Sequence, residues 1–214
     1  GEVSRTHPRL TIDQFAAELP QWYVKYTQSP YFEQYKNLEA GLSQKARDVG
    51  YLEKGDLMWV AIWGGDEERH QLGTKICSMN TVEEVKRYTR EAIQHLNSPG
   101  DALRSLRFIN NVGLAYASKT LRCICPQNYP ALDRHTRRAC KDLPLDIDDN
   151  DEQSVVGGYL WFIEICRRIQ EKVPAPGPRP RNLWFIADIE MALFQFAFPP
   201  QLGKLVVSGE QCYS

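Results

Sequence analysis

The sequence predicts a mainly α-helical protein, built as a compact bundle or as two packed helical lobes. Apolar residues recur at spacings of three and four through several long stretches, and helix-start signals stand in front of those stretches. Strand alternation is convincing nowhere, Lys204 to Val207 being the one serious β candidate, and there is no internal repeat.

Thr11 with Gln14 three residues on forms a capping box for a helix to Leu19, where Pro20 predicts a break. Tyr31 to Leu42 reads as a second, aromatic-rich helix. Asp56 can cap a short buried helix through Leu57, Trp59, Val60 and Ile62, stopped by Gly64 and Gly65; the same apolar run is equally compatible with a strand. Thr81 and Glu84 form a clearer box, followed by Val82, Val85, Tyr88, Ala92, Ile93 and Leu96 along one face. After the Pro99-Gly100 break, Asp101 opens a helix from Leu103 to Ile109 that ends at Asn110-Asn111, and another runs from Leu114 to Ile124. Pro126 and Pro130 bracket an extended connector, and Asp133 is placed to cap a basic helix reaching about Lys141. Ser154 to Ile169 is a core helix, 174–181 a proline-rich loop, and Leu183 to Phe198 the last helix. The whole chain, 1–214, is expected to form one helical unit.

Hydrophobic residues are 43 % and charged residues 25 % of the chain, which is a globular balance. No apolar run approaches the ~18 residues of a membrane span, and the N-terminus shows no basic patch followed by an apolar stretch; the scattered cysteines read as reduced thiols, so a protein inside the cell, in the cytoplasm, nucleoid or nucleus, is expected. The six cysteines form no C-x-x-C and the four histidines no metal-ligand spacing, so no transition metal is expected. A net charge of -1 argues against a polyanion binder, but its distribution is uneven. Between Asp101 and Asp142, Arg104, Arg107, Lys119, Arg122, Arg134, Arg137, Arg138 and Lys141 face three aspartates, a local excess of five, and an acidic run from Asp146 to Glu152 follows. Charge alone favours a solvated helical face over a phosphate-binding one.

Residues 103–125 form two helices joined by a tight turn at Asn110-Asn111-Val112-Gly113. The start of such a second helix presents unpaired N–H groups and the positive end of a dipole, and Gly113 allows close approach of a phosphate. Short αα-hairpins are also commonplace in bundles that bind nothing.

The register of the next element narrows the choice. Ile109-Asn110-Asn111-Val112-Gly113 is similar to the Leu-Pro-Gly-Val-Gly hairpin of the helix-hairpin-helix DNA glycosylase superfamily that includes endonuclease III. In that superfamily an essential aspartate follows the last hairpin glycine after a helix and an extended segment, and here Asp133 lies twenty residues after Gly113. Leu132-Asp133-Arg134-His135-Thr136-Arg137-Arg138 also resembles the family's apolar-Asp-x-His-x-x-Arg string, with His135 and Arg138 at the matching places.

The resemblance implies a cleft between two lobes, a base flipped out of lesion-bearing duplex DNA, and hydrolysis of its N-glycosidic bond with Asp133 as the catalytic carboxylate. It implies that Asn110, Asn111, Val112, Gly113, Ala115, Arg134, His135 and Arg138 contact nucleic acid. It further implies a monomer with no organic cofactor and a monovalent cation at the hairpin. Asn110-Asn111 departs from the family's Pro-Gly, although Asn tolerates a left-handed backbone. Ala115 stands where bifunctional members carry the Schiff-base lysine, and the iron-sulfur cysteine cluster is missing, so a divergent, monofunctional enzyme is expected. Lys119, on the second helix, is open to phosphate binding, pairing with a carboxylate, or a nucleophilic role, the last ranked lowest. Trp22 and Trp63, near chain breaks, are the stacking candidates among the aromatics. A non-catalytic DNA-binding module and a helical protein-interaction scaffold are the competing readings.

Overall fold

The computed structural model describes residues 10–140 and 151–197, and among these it is mainly helical with no strand. The strand candidate Lys204 to Val207, the acidic run Asp146 to Asp149 and the expected end of the basic helix at Lys141 lie outside the described residues.

Helix α1 spans Ile12–Thr27 and opens on the predicted box, with Gln14 N donating to Thr11 Oγ1 at 3.1 Å and Thr11 N to Gln14 Oε1 at 2.9 Å. Pro20 does not end it, contrary to expectation. A proline inside a helix removes one backbone bond and costs about 3 kcal/mol. That cost is met by burial, because Phe15, Ala16, Leu19, Tyr23 and Tyr26 form one stripe crossing Pro20. The stripe packs on helix α11, Ile186–Ala197, through Phe15 on Phe196 and Tyr26 on Phe194. Pro20→Ala is therefore expected to raise stability by about 1–3 kcal/mol in urea denaturation; a lowered midpoint would mean that the packing depends on the proline's local distortion.

Helix α2, Phe32–Asp48, runs beyond the predicted end. Helix α3, Lys54–Trp63, settles the helix-or-strand choice, but Glu53 is the N-cap and Asp56 sits three residues into its box. Nor is α3 buried all round: Leu57, Val60, Ala61 and Trp63 face inward, whereas Trp59 and Ile62 are exposed. Two short helices unassigned from sequence follow, α4 at Asp66–His70 and α5 at Leu72–Met79, separated by Gln71 in the left-handed region. Helix α6, Val82–Gln94, carries the Thr81/Glu84 box as expected. Helix α7, Pro99–Arg107, starts earlier than predicted because Pro99 takes the first-turn position where its missing N–H costs nothing. Helix α8, Leu114–Ile124, has the predicted bounds. Helix α9, Arg134–Ala139, and helix α10, Glu152–Lys172, complete the set with the 3-10 turn Pro180–Asn182.

One apolar core connects these elements. Helices α10 and α11 pack with α1, α11 also backs α9, and α8 touches α2, α3 and α7. The proline-rich loop is tied into this core by Arg179, whose guanidinium lies between Glu39 of α2 (2.7 and 2.8 Å) and Asp188 of α11 (2.9 to 3.2 Å). No described helix is long and apolar enough to cross a membrane.

Candidate active site

The turn between α7 and α8, residues 108–113, places Asn111 at φ 74°, the left-handed conformation that asparagine tolerates better than most residues. Its neighbour is clamped from outside. The Asn80 carboxamide accepts from Asn110 N at 2.9 Å and donates to Asn110 O at 3.1 Å, while Asn110 Nδ2 donates to Met79 O at 3.1 Å. The turn is thus held against the α5–α6 junction, and the Asn110 amide, expected on nucleic acid, is used within the protein. The carbonyls of Ile109 and Asn110 accept from Val112 N and Asn80 Nδ2, and each oxygen keeps a second lone pair with which it would hold a monovalent cation.

Gly113 is the N-cap of α8 and contributes no side-chain cap. Neither its backbone angles nor its packing demands a glycine: φ is -95°, and an added Cβ would meet nothing within 4 Å. The space next to the first turn of α8 is open.

Asp133 ends an extended segment whose polar groups are anchored one after another, as buried backbone requires. Tyr159 Oη donates to Pro130 O at 2.8 Å, Ala131 N donates to Glu190 Oε1 at 2.9 Å, and Leu132 N donates to Ser118 Oγ at 2.8 Å. Farther back, Ile186 N and Ala187 N at the start of α11 donate to Gln127 O and Pro126 O. Asp133 then caps α9 as predicted, with Thr136 N donating to Asp133 Oδ1 at 2.9 Å and Asp133 N to Thr136 Oγ1 at 3.0 Å. The reciprocal pair fixes the carboxylate while leaving it at a cavity wall.

That cavity, about 590 Å³, brings together elements distant in sequence. Its walls include Asp66 and Arg69 of α4, Arg107 of α7, Gly113 to Ala115 and Lys119 of α8, and Asp133, Arg134 and Arg137. Of the predicted site residues, Gly113, Ala115, Lys119, Asp133 and Arg134 therefore meet at one opening. Asn110, Asn111 and Val112 lie outside its lining, and Val112 is buried. The expected contacts of His135 and Arg138 concern side chains outside the described residues.

Lys119 is almost fully buried, and its Nζ sits 3.1 Å from Asp66 Oδ2. Five cationic side chains against two carboxylates line the cavity, and although Lys119 is paired to Asp66 and Arg107 to Glu152 beyond the lining, an excess of positive charge remains among the described residues and favours an anion. Burial pulls the Arg69 guanidinium below its ordinary value, with Arg134 adding to the pull and Asp66 and Asp133 opposing it.

Two expectations need correction. Arg122 does not belong to the phosphate-facing charge: it is buried, stacked between Tyr35 and Trp63 with ring centroids at 4.6 and 5.0 Å, and paired to Glu190 at 2.8 Å. Trp63 is in that buried stack and so is not a base-stacking residue, and Trp22, half-buried and edge-on to Phe196, lies outside the cavity lining. The cavity's own aromatic is Tyr116, whose hydroxyl donates to Leu57 O at 2.6 Å. Sequence reasoning missed Asp66 and Arg69, although Gly64-Gly65 followed by an acidic run is a legible helix start. It also missed Glu190, for which nothing local gives a signal.

The chain matches no family model, no curated protein and no solved structure.

Proposed function

We propose that this protein is a monofunctional DNA base-excision glycosylase of the helix-hairpin-helix type, acting as an intracellular monomer on duplex DNA that carries a damaged or mispaired base. The observation that carries the reading is the convergence of Asp133 and the open first turn of α8 on one cationic cavity. Its volume of about 590 Å³ lies within the range of small-molecule sites, enough for an everted nucleoside.

In this reading α7 and α8 are the hairpin, and the cavity is the cleft between two lobes. The first-turn amides of α8 and the arginines grip the phosphates flanking the lesion, because a helix start is a ready anion site. The target nucleotide rotates out of the stack, since its glycosidic carbon is inaccessible inside it. As the bond from C1′ to the base nitrogen lengthens, positive charge grows on the sugar, and the Asp133 carboxylate stabilises it where water is scarce. Water adds to C1′, its proton passing by way of Asp133, and the base leaves protonated. Lys119, held by Asp66, contributes positive field toward the backbone rather than a covalent bond.

Incubation with duplexes carrying oxidised, alkylated, deaminated or mismatched bases tests this, with abasic sites revealed by alkali. Base release from at least one duplex, with strand breaks appearing only after alkali, is expected. Strand cleavage without alkali that disappears in Lys119→Ala would overturn the hydrolytic assignment, and no release from any duplex would leave a binding module.

Gly113→Ala probes the grip separately. With open space around the new methyl group, the fold should lose no more than about 1 kcal/mol. Duplex affinity at fixed salt should fall about tenfold, since a Cβ now stands where a phosphate approaches. Unchanged fluorescence anisotropy titrations would remove the hairpin from the interface.

A further inference from the structure

Glu190 lies on α11, bonded both to the 130–133 segment and to α8, and is 1 % exposed. Its Oε1 accepts from Ala131 N at 2.9 Å and from Arg122 Nη1 at 2.8 Å. We propose that Glu190, held by Arg122, is a positioning residue that fixes the segment aiming Asp133 into the cavity; the proposal rests on the glycosylase reading above.

A buried ion pair is a poor device for stability alone, because desolvation consumes most of its attraction and apolar replacements often do as well. This one is expensive by its surroundings. Burial, with the nearby Asp133 carboxylate adding to it, pushes the Glu190 carboxyl up to about 7 against the pull of Arg122 and of the Ala131 N–H. The groups facing it are Arg122 from α8, Asp133 from the connecting segment, and Tyr159 and Cys166 from α10, with Tyr35 of α2 against the same guanidinium. Arg122 Nε makes no hydrogen bond among the described residues, so the guanidinium is not in a fully satisfied site.

What the pair does hold is direction. One carboxylate oxygen ties the peptide two residues before Asp133 to both α8 and α11, and a charge-assisted bond is stronger than the Ser118 contact beside it. A reacting carboxylate displaced by about 1 Å can lose about 10²-fold in rate. A fixed peptide at Ala131 limits such displacement.

Removing Glu190 alone would strand a buried cation, so the test uses two double variants. Arg122→Met with Glu190→Met leaves a neutral core without an acceptor for Ala131 N. Arg122→Met with Glu190→Gln restores the acceptor. Both are to be compared with the unaltered protein and with the same pairs in an Asp133→Asn background, using single-turnover base release and duplex affinity.

The Met/Met protein should release base about 10²-fold more slowly with unchanged affinity, the Met/Gln protein should recover most of that loss, and the difference should vanish without Asp133. A second readout needs no activity: hydrogen exchange at Thr136 N–H, bonded to Asp133 Oδ1, should be at least about tenfold faster in Met/Met than in Met/Gln, a protection difference typical of local opening. Equal Thr136 protection in the two proteins overturns the proposal whether or not any base is released. So does equal base release, or a loss that persists in the Asp133→Asn background. If the unaltered protein releases no base, the glycosylase reading fails, and the exchange data alone decide whether Glu190 positions Asp133.

Discussion

Asp133→Asn is expected to slow base release by about 10²- to 10³-fold, the usual cost of removing one preorganised electrostatic group from a transition state. Duplex affinity should change little, because the phosphate grip is assigned to the start of α8 and to the arginines. The substitution is clean on structural grounds. Asparagine caps helices as well as aspartate, and its carbonyl oxygen can keep accepting from Thr136 N, so α9 should stay in place. Only the negative charge at the cavity wall is removed. Thermal denaturation within a few degrees of the unaltered protein would establish that the loss is chemical. Equal rates for the two proteins would take Asp133 out of the mechanism.

Arg179→Met should lower stability by about 3–5 kcal/mol, the range for removing one partner of a buried ion pair. Arg179 joins Glu39 on α2 to Asp188 on α11, and both carboxylates are buried at least nine-tenths. Without the guanidinium they face each other across the same space. For a chain of this size the loss corresponds to a fall in Tm of about 10 °C.

The deficit should depend on pH. Burial already holds the Asp188 carboxyl above its ordinary value, with Arg179 opposing it, so removing Arg179 raises it further. A carboxyl whose folded value exceeds its unfolded value takes up protons on folding, and its destabilising effect grows as pH rises between the two values. The variant should therefore lie closest to the unaltered protein near pH 5 and farthest from it at pH 8. The same deficit at both pH values would show that lost packing of the arginine stem, not stranded charge, is responsible.

The legible features were those whose signals are local. The box at Thr81 and Glu84 marked α6, and the bounds of α8 followed from a turn on one side and Cys125-Pro126 on the other. Asp133 stands as the cap of α9 because a short acidic side chain before a helix satisfies its first amides wherever the helix lies in the fold. Pro20 misled for the complementary reason: its cost is local, but the compensating stripe is buried on a helix at the other end of the chain. The same holds for Trp63, read as a residue near a break and found stacked on Arg122.

By itself, the sequence determined the helical class, the starts of α1, α6, α8 and α9, and the register that sets Asp133 after the α7–α8 turn, since these depend on hydrogen bonds and periodicity within a few residues. Only the tertiary structure decided that Lys119 meets Asp66, that Arg69 joins the cavity, and that Arg122 leaves the surface for Glu190. Such pairings span 53 and 68 residues of chain. Over that separation the choice of partner is made by how whole helices pack, because burial of their apolar faces is worth far more than any single ion pair.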